Sequence, residues 1–361
     1  IMYVQGQGYF TSKHVIDSML SQPGFLVSDV NNNGLKDVLF YGGYGLYWYE
    51  NNGGGNFSTK KDIYVFTSSN QLISPPIKSV YSIDIDSDED KDLLVASVSG
   101  NTNYHVSLFI NDGSGNFSMP KLITDSANNP KCVHAGDLNG DNKPDIVSTS
   151  SYNVNKKIAW YENKGSGHFG YQRLISDTID AHSIDIADID GDGKNDVLMG
   201  GFDSSKVVGW YKNDGNGNFS YQNIFSANPA DSVEFIDRNS VYASDLNGNG
   251  RLDVFYGIKL NFSDTFAMNV GNEKYRIAWH KNKGNGNFGN QQIITDTIWI
   301  ALKPELTYGS RFKIADIDGD GAMDILTPYH YIIYNSPSSV QHIKKIMWLE
   351  NDGQGNFQST H

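Results

Sequence analysis

A single cysteine, Cys132, stands in a chain of 361 residues, which excludes an internal disulfide framework and leaves that thiol buried, free or paired between chains. No stretch sustains a helical period of apolar residues, and no apolar run is long enough to span a membrane. Positive charge is scarce: 28 Lys and Arg face 41 Asp and Glu, for a formal net charge of −13 with no basic cluster. That balance argues against a nucleic-acid partner. There is no nucleophile elbow, no H-E-x-x-H and no Gly-rich phosphate loop, so the best-known catalytic motifs are missing. No signal peptide opens the chain, which begins at Ile1 rather than Met; this fits a leader already removed or a fragment of a longer chain.

What the chain has in quantity is carboxylate, and it is placed periodically. Six nine-residue loops, 29–37, 84–92, 137–145, 188–196, 245–253 and 316–324, hold 21 of the 41 acidic residues. Position 1 is Asp29, Asp84, Asp137, Asp188, Asp245 and Asp316. Position 3 is Asn31, Asp86, Asn139, Asp190, Asn247 and Asp318, and position 5 is Asn33, Asp88, Asp141, Asp192, Asn249 and Asp320. Position 9 is always Asp: Asp37, Asp92, Asp145, Asp196, Asp253 and Asp324. Alternate oxygen-bearing side chains on a loop that turns back converge on one point, and a calcium ion takes roughly 6–8 oxygens at about 2.3–2.6 Å. Position 7 would add a backbone carbonyl, which lets its side chain vary. Position 6 is Gly in four loops, as a left-handed turn favours, but Glu89 and Asn142 in the other two. An EF-hand shares the opening of this pattern but closes on Glu at position 12 between helices. Here position 12 is Phe40, Val95, Ser148, Met199, Tyr256 and Thr327, so the EF-hand is excluded. Six divalent ions, all structural, would bring +12 against the formal −13, and their binding would then appear as folding free energy.

A second phrase follows each loop. Trp48, Trp160, Trp210, Trp279 and Trp348 each begin a run that ends three residues later in Asn; Leu108 replaces Trp in the second copy. A Gly-x-Gly turn and a Phe come next, which reads as a hairpin. Loop starts are separated by 55, 53, 51, 57 and 71 residues, a period typical of solenoids, propellers or arrays. Each unit reads as four short strands: into the loop, out of it, through the Trp, and after the Phe. The fold class expected is therefore all-β, a β-propeller of four-stranded blades forming one domain over 1–361. Six blades are favoured and seven remain possible if the chain extends upstream. Ile1 to Phe10 matches Ile346 to Phe357, so residues 11–16 are expected to supply a strand that completes the last blade and closes the ring. The repeated Trp is expected to pack between neighbouring blades. The 71-residue interval points to longer loops around Asn261–Glu273 and Trp299–Ser310.

These loops and the G-x-G-x-F turns resemble the FG-GAP/VCBS repeat family, which includes the integrin α-chain propeller and propeller lectins. The resemblance covers nearly the whole chain. It implies a calcium-stabilised propeller, usually of seven blades, with the Asp and Asn positions above as ligands. It favours a multivalent carbohydrate-binding protein, with glycans or glycoproteins as partners. Aromatics make up 12% of the chain, and a ring offers a flat face to a sugar. Tyr49, Tyr161, Tyr211 and His280 share the position after the Trp and are the candidate platform, repeated for avidity. An adhesion or scaffold propeller that binds another protein is the alternative. A polysaccharide lyase or hydrolase is the lesser one, and the chain is expected not to be an enzyme. For catalysis, Leu26, Tyr81, His134, Asp185, Tyr242 and Lys313, each three residues before a loop, would have to meet in the central channel. Weak carboxylate sites suit the millimolar calcium of a secreted or cell-surface setting. Sequons stand at Asn56, Asn116, Asn218 and Asn261, the last being the better glycan candidate in a eukaryotic source.

Overall fold

The computed structural model describes residues 24–42, 45–53, 56–65, 76–99, 103–125, 127, 129–152, 155–201, 207–226, 234–260, 272–295, 298–301, 312–316, 320–336 and 339–360. Every regular element among them is a strand. No helix among them is long and apolar enough to cross a membrane.

The first blade is β1 (Gly24–Ser28), β2 (Asp37–Gly42), β3 (Gly45–Tyr49) and β4 (Lys61–Val65), and the second is β5 (Ile77–Ile83), β6 (Asp92–Ser99), β7 (Asn103–Phe109) and β8 (Lys121–Thr124). In the third, β9 (Pro130–Gly136), β10 (Asp145–Tyr152) and β11 (Asn155–Tyr161) are followed by a small hairpin, β12 (Asn163–Gly165) and β13 (His168–Phe169). The outer strand β14 (Arg173–Ser176) completes that blade. The fourth is β15 (Ala181–Ala187), β16 (Asp196–Gly201), β17 (Val207–Asn213) and β18 (Phe219–Ser226). The fifth runs through β19 (Glu234–Ser244), β20 (Asp253–Leu260), β21 (Asn272–Gly284) and β22 (Asn287–Ile293), with β23 (Ile298–Ala301) added against the far end of β21. The sixth is β24 (Lys313–Ala315), β25 (Asp324–Ser336), β26 (Ser339–Asn351) and β27 (Phe357–Thr360). All pairings are antiparallel, and the six blades form a β-propeller.

The register follows from the repeat. The position-9 Asp opens each second strand, and the residue two places on stands opposite the Trp: Leu39↔Trp48, Val147↔Trp160, Leu198↔Trp210, Phe255↔Trp279 and Leu326↔Trp348. In the second blade Leu94 faces Leu108. The apolar cores lie between blades rather than within them, because a single thin sheet has nothing else to pack against. One cluster joins Leu39, Leu46 and Trp48 of the first blade to Ile77, Leu93 and Phe109 of the second, and the next four junctions repeat the arrangement.

Four of the repeated Trp, Trp48, Trp160, Trp210 and Trp279, sit under the hairpin of the following blade. A Cβ on Gly115 would collide with the Trp48 ring, one on Gly217 with Trp160, one on Gly286 with Trp210 and one on Gly355 with Trp279. These glycines also have φ between +69° and +81° or, for Gly355, +84°. They are required twice over, by conformation and by contact. The packing role expected of the Trp is what the structure shows.

The sixth blade takes its fourth strand from β27. Residues 11–16, expected to complete that blade, lie outside the described residues, as do Asn261 and most of the two long loops near it.

Candidate metal centres

Local chemistry shapes each acidic loop. The position-1 carboxylate accepts the backbone N–H of position 6 in all six loops, at 2.6–3.1 Å. The position-5 side chain accepts the N–H of position 7, as Asn33 does from Leu35 and Asp192 from Lys194. Closing so tight a turn forces position 6 into the left-handed region in every copy. Gly34, Gly193, Gly250 and Gly321 have φ between +78° and +90°, and Asn142 and Glu89 follow at +61° and +73°. The second loop thus keeps the geometry although Glu bears its steric cost.

The position-9 carboxylates are fully buried. One oxygen accepts the N–H of the Asn that ends the Trp strand, at 2.7–2.9 Å in all six blades. The other accepts the N–H of position 2 at 2.8–3.2 Å in the first five. Burial pushes these acids up, to about 7 in Asp92 and Asp196 and about 6 in Asp145 and Asp253, and raises Asp37 as well. The amide bonds oppose that shift without cancelling it, and the other acids of the loop add to it.

The same Asn also ties the ring together, a role that the residue-by-residue reading missed. Its side-chain amide donates to the position-8 carbonyl of its own blade and to the position-2 carbonyl of the blade before. The second bond runs from Asn111 to Val30, Asn163 to Ile85, Asn213 to Leu138, Asn282 to Ile189 and Asn351 to Leu246, at 2.7–2.9 Å. All five junctions seen among the described residues carry it. The signal was present in the sequence as an Asn invariant across the six internal copies.

The residues fit a hard cation. Asp84, Asp86 and Asp88 bring one oxygen each within 4.8 Å of one another, as do Asp188, Asp190 and Asp196. The position-3 oxygens Asn31 Oδ1 and Asp86 Oδ1 are buried with no hydrogen-bond partner among the described residues, although loop geometry satisfies their neighbours. Orphaned acceptors at the focus of an acidic loop are what an ion would satisfy. Asp318 lies outside the described residues, so the sixth loop is seen only in part.

A lateral position, two residues after the Trp, modulates this charge. Glu50 stands there in the first blade and accepts from Asn31 Nδ2 at 2.7 Å. Lys212 stands there in the fourth, bonded to Asp190 and, at 3.0 Å, to Asp192. These contacts raise the Lys212 ammonium and help lower Asp192.

The expected sugar platform is not on the surface. Tyr49, Tyr161, Tyr211 and His280 are each 5% exposed or less. Tyr161 accepts from Gln172, and His280 bonds the Tyr256 hydroxyl and the Gly289 carbonyl. Tyr161 and Tyr211 pack in the clusters shared with the preceding blade, His280 meets Phe225 of the blade before it, and Tyr49 lies against Phe40 and Tyr47, so each ring is core. The open rings nearby are Tyr171, almost fully exposed, and the half-buried Tyr221, both two residues past the hairpin Phe.

A family model described as an FG-GAP-like repeat matches residues 29–95, 84–148, 143–199 and 188–256. No curated protein matches the sequence. Among solved structures, a lectin of Agrocybe aegerita that specifically recognises non-reducing terminal N-acetylglucosamine is similar, with TM-score 0.59 at 19% identity over 94% of this chain and 80% of that one. The BP39L lectin from Burkholderia pseudomallei gives TM-score 0.50 at 13% identity, covering 94% of this chain and 98% of its own. The rhamnogalacturonan lyase YesW gives 0.43 at 13% identity, covering 94% of this chain and 58% of its own. At such identities the first two likenesses show a shared fold.

Proposed function

The chain belongs to the FG-GAP-like repeat family, and from that premise we propose that it is a calcium-stabilised, multivalent carbohydrate-binding propeller. The observation that carries this reading is the sameness of successive junctions. Four of them present the same glycine over the same indole, and five the same Asn amide on the same carbonyl. Repeated rims offer repeated weak sites, which suit saccharides presented in many copies. The fold shared with the Agrocybe aegerita lectin supports the class. Tyr171 and Tyr221 replace the buried rings as candidates for stacking on a sugar face.

Calcium would be held by positions 1, 3, 5 and 9 of each loop, and when bound it supplies positive charge at the blade rims. The chain's own residues do the rest: backbone amides aim the carboxylates, and the position-9 Asp links the loop to the Asn clamp. Binding rather than turnover is the function we assign. The loop acids are engaged by their own backbone amides, as Asp29 is by Gly34 and Asp188 by Gly193. An extracellular setting suits loops of this affinity class.

A glycan array run in calcium, and again after chelation, tests the proposal. Selective binding to a terminal sugar, lost together with the folded state, is expected. A blank array from folded, calcium-loaded protein would overturn it in favour of a propeller that binds another protein.

A further inference from the structure

The six residues that precede the loops by three places, Leu26, Tyr81, His134, Asp185, Tyr242 and Lys313, all line one cavity of about 630 Å³ at the centre of the ring. Their backbone positions are equivalent, but their chemistry is not. His134 Nε2 lies 3.2 Å from Asp185 Oδ1, and the Tyr81 ring lies over the imidazole, tilted by 35° with centroids 3.7 Å apart. The Asp185 carboxylate is well engaged, because it also accepts the N–H groups of Ile186 and Ala243 at 2.9 Å each. Nε2 faces Asp185, so Nδ1 points to the other side of the ring. That atom is buried and has no hydrogen-bond partner among the described residues.

Three blades away around the ring stands Lys313. Its ammonium has no carboxylate partner among the described residues; what it meets is the face of Phe25, 6.0 Å from the ring centroid. Burial pulls it below the usual lysine range. A partly desolvated cation with no anion beside it is unfavourable, and neither the loops nor the rim explains it here. The walls between the two polar groups are mostly aromatic and aliphatic. Cavities of about 300–1,000 Å³ with apolar walls and a few aimed polar groups are the usual form of small-ligand sites.

We propose that the central cavity binds a small aromatic monocarboxylate, its carboxylate on Lys313 Nζ. A single ammonium, with no arginine fork or cluster of backbone amides beside it among the described residues, matches one negative charge rather than a phosphate dianion. The aromatic body lies against Phe25, Tyr81 and Tyr242. This site is separate from the rim and does not depend on glycan recognition.

The test is calorimetric titration of the full, calcium-equilibrated chain with benzoate, 4-hydroxybenzoate and 4-hydroxycinnamate, each beside its neutral amide. At least one of the three acids is expected to bind about tenfold or more tighter than its amide. In Lys313→Met, which removes the charge but keeps the chain length, the acid should lose that advantage while the melting temperature holds or rises. If Lys313→Met fails to fold, the acid-against-amide difference on the unaltered chain decides alone. Absence of binding by all three acids, or equal binding of acid and amide, would overturn the proposal.

Discussion

The loops beginning at Asp84 and Asp188 share a backbone and differ in how their charge is balanced. The first holds six acids over nine residues and has Ile110 at the lateral position. The second holds four and receives Lys212 across Asp190 and Asp192. Burial and its acidic neighbours raise Asp86, and one of its oxygens is left without a partner. In the fourth blade an ammonium from the chain meets the equivalent side chain. The fourth loop thus draws from its own sequence a positive charge that the second lacks, and on our proposal the second takes that charge from a bound cation.

What the two loops have in common gives the largest expected effect. Asp92 and Asp196 are both pushed up to about 7, with Asp145 and Asp253 at about 6, against an ordinary 3.8. A carboxyl raised in the folded state holds its proton there longer than in the unfolded chain, so its ionisation favours unfolding. In chelator, the melting temperature should therefore fall as pH rises from about 4 to 7, and calcium should flatten the fall. Scans at fixed ionic strength check this; a rise over that window without calcium would contradict it.

Removing the shared carboxylate comes next. Asp92→Ala and Asp196→Ala each leave two buried backbone amides unpaired, which should cost about 3 kcal/mol in either loop by chemical denaturation. A much smaller loss in one of them would break the equivalence of the two blades. The contrast itself is probed by Lys212→Met, which should raise calcium affinity at the fourth loop about tenfold, or roughly 1.4 kcal/mol. Calorimetry would resolve this as a tighter class of sites, and no change would remove the lysine from the account. The smallest effect is Glu89→Gly, which relieves a left-handed residue with φ +73° and should stabilise the calcium-free chain by about 1 kcal/mol.

Much of this architecture was legible in the sequence, because a repeat turns weak local signals into a strong one. Strand order, six blades, the left-handed sixth position and the inward Trp all follow from spacing and alternation. The convergence of Leu26 through Lys313 on the centre followed from counting three residues back from each loop. The four proposed sugar-stacking residues went wrong for a physical reason. Alternation says that Tyr49 and Trp48 face opposite sides of a strand, but in a propeller both sides meet a neighbouring blade, so neither is solvent. The Asn clamp was visible as a recurring letter, yet its acceptor is a carbonyl more than 70 residues away, which no local pattern discloses. The lateral pairing of Lys212 with Asp190 was hidden in the same way.

The central claim, that cations at these loops hold the blades in place, is tested most directly by counting them. The full chain would be dialysed against calcium and against chelator, its bound calcium measured by atomic emission, and each sample melted. The account predicts several calcium ions per chain and a higher melting temperature when they are bound, each occupied site contributing about 2.7 kcal/mol at a hundredfold excess over its Kd. A chain that retains no calcium and melts at the same temperature in both buffers would contradict it.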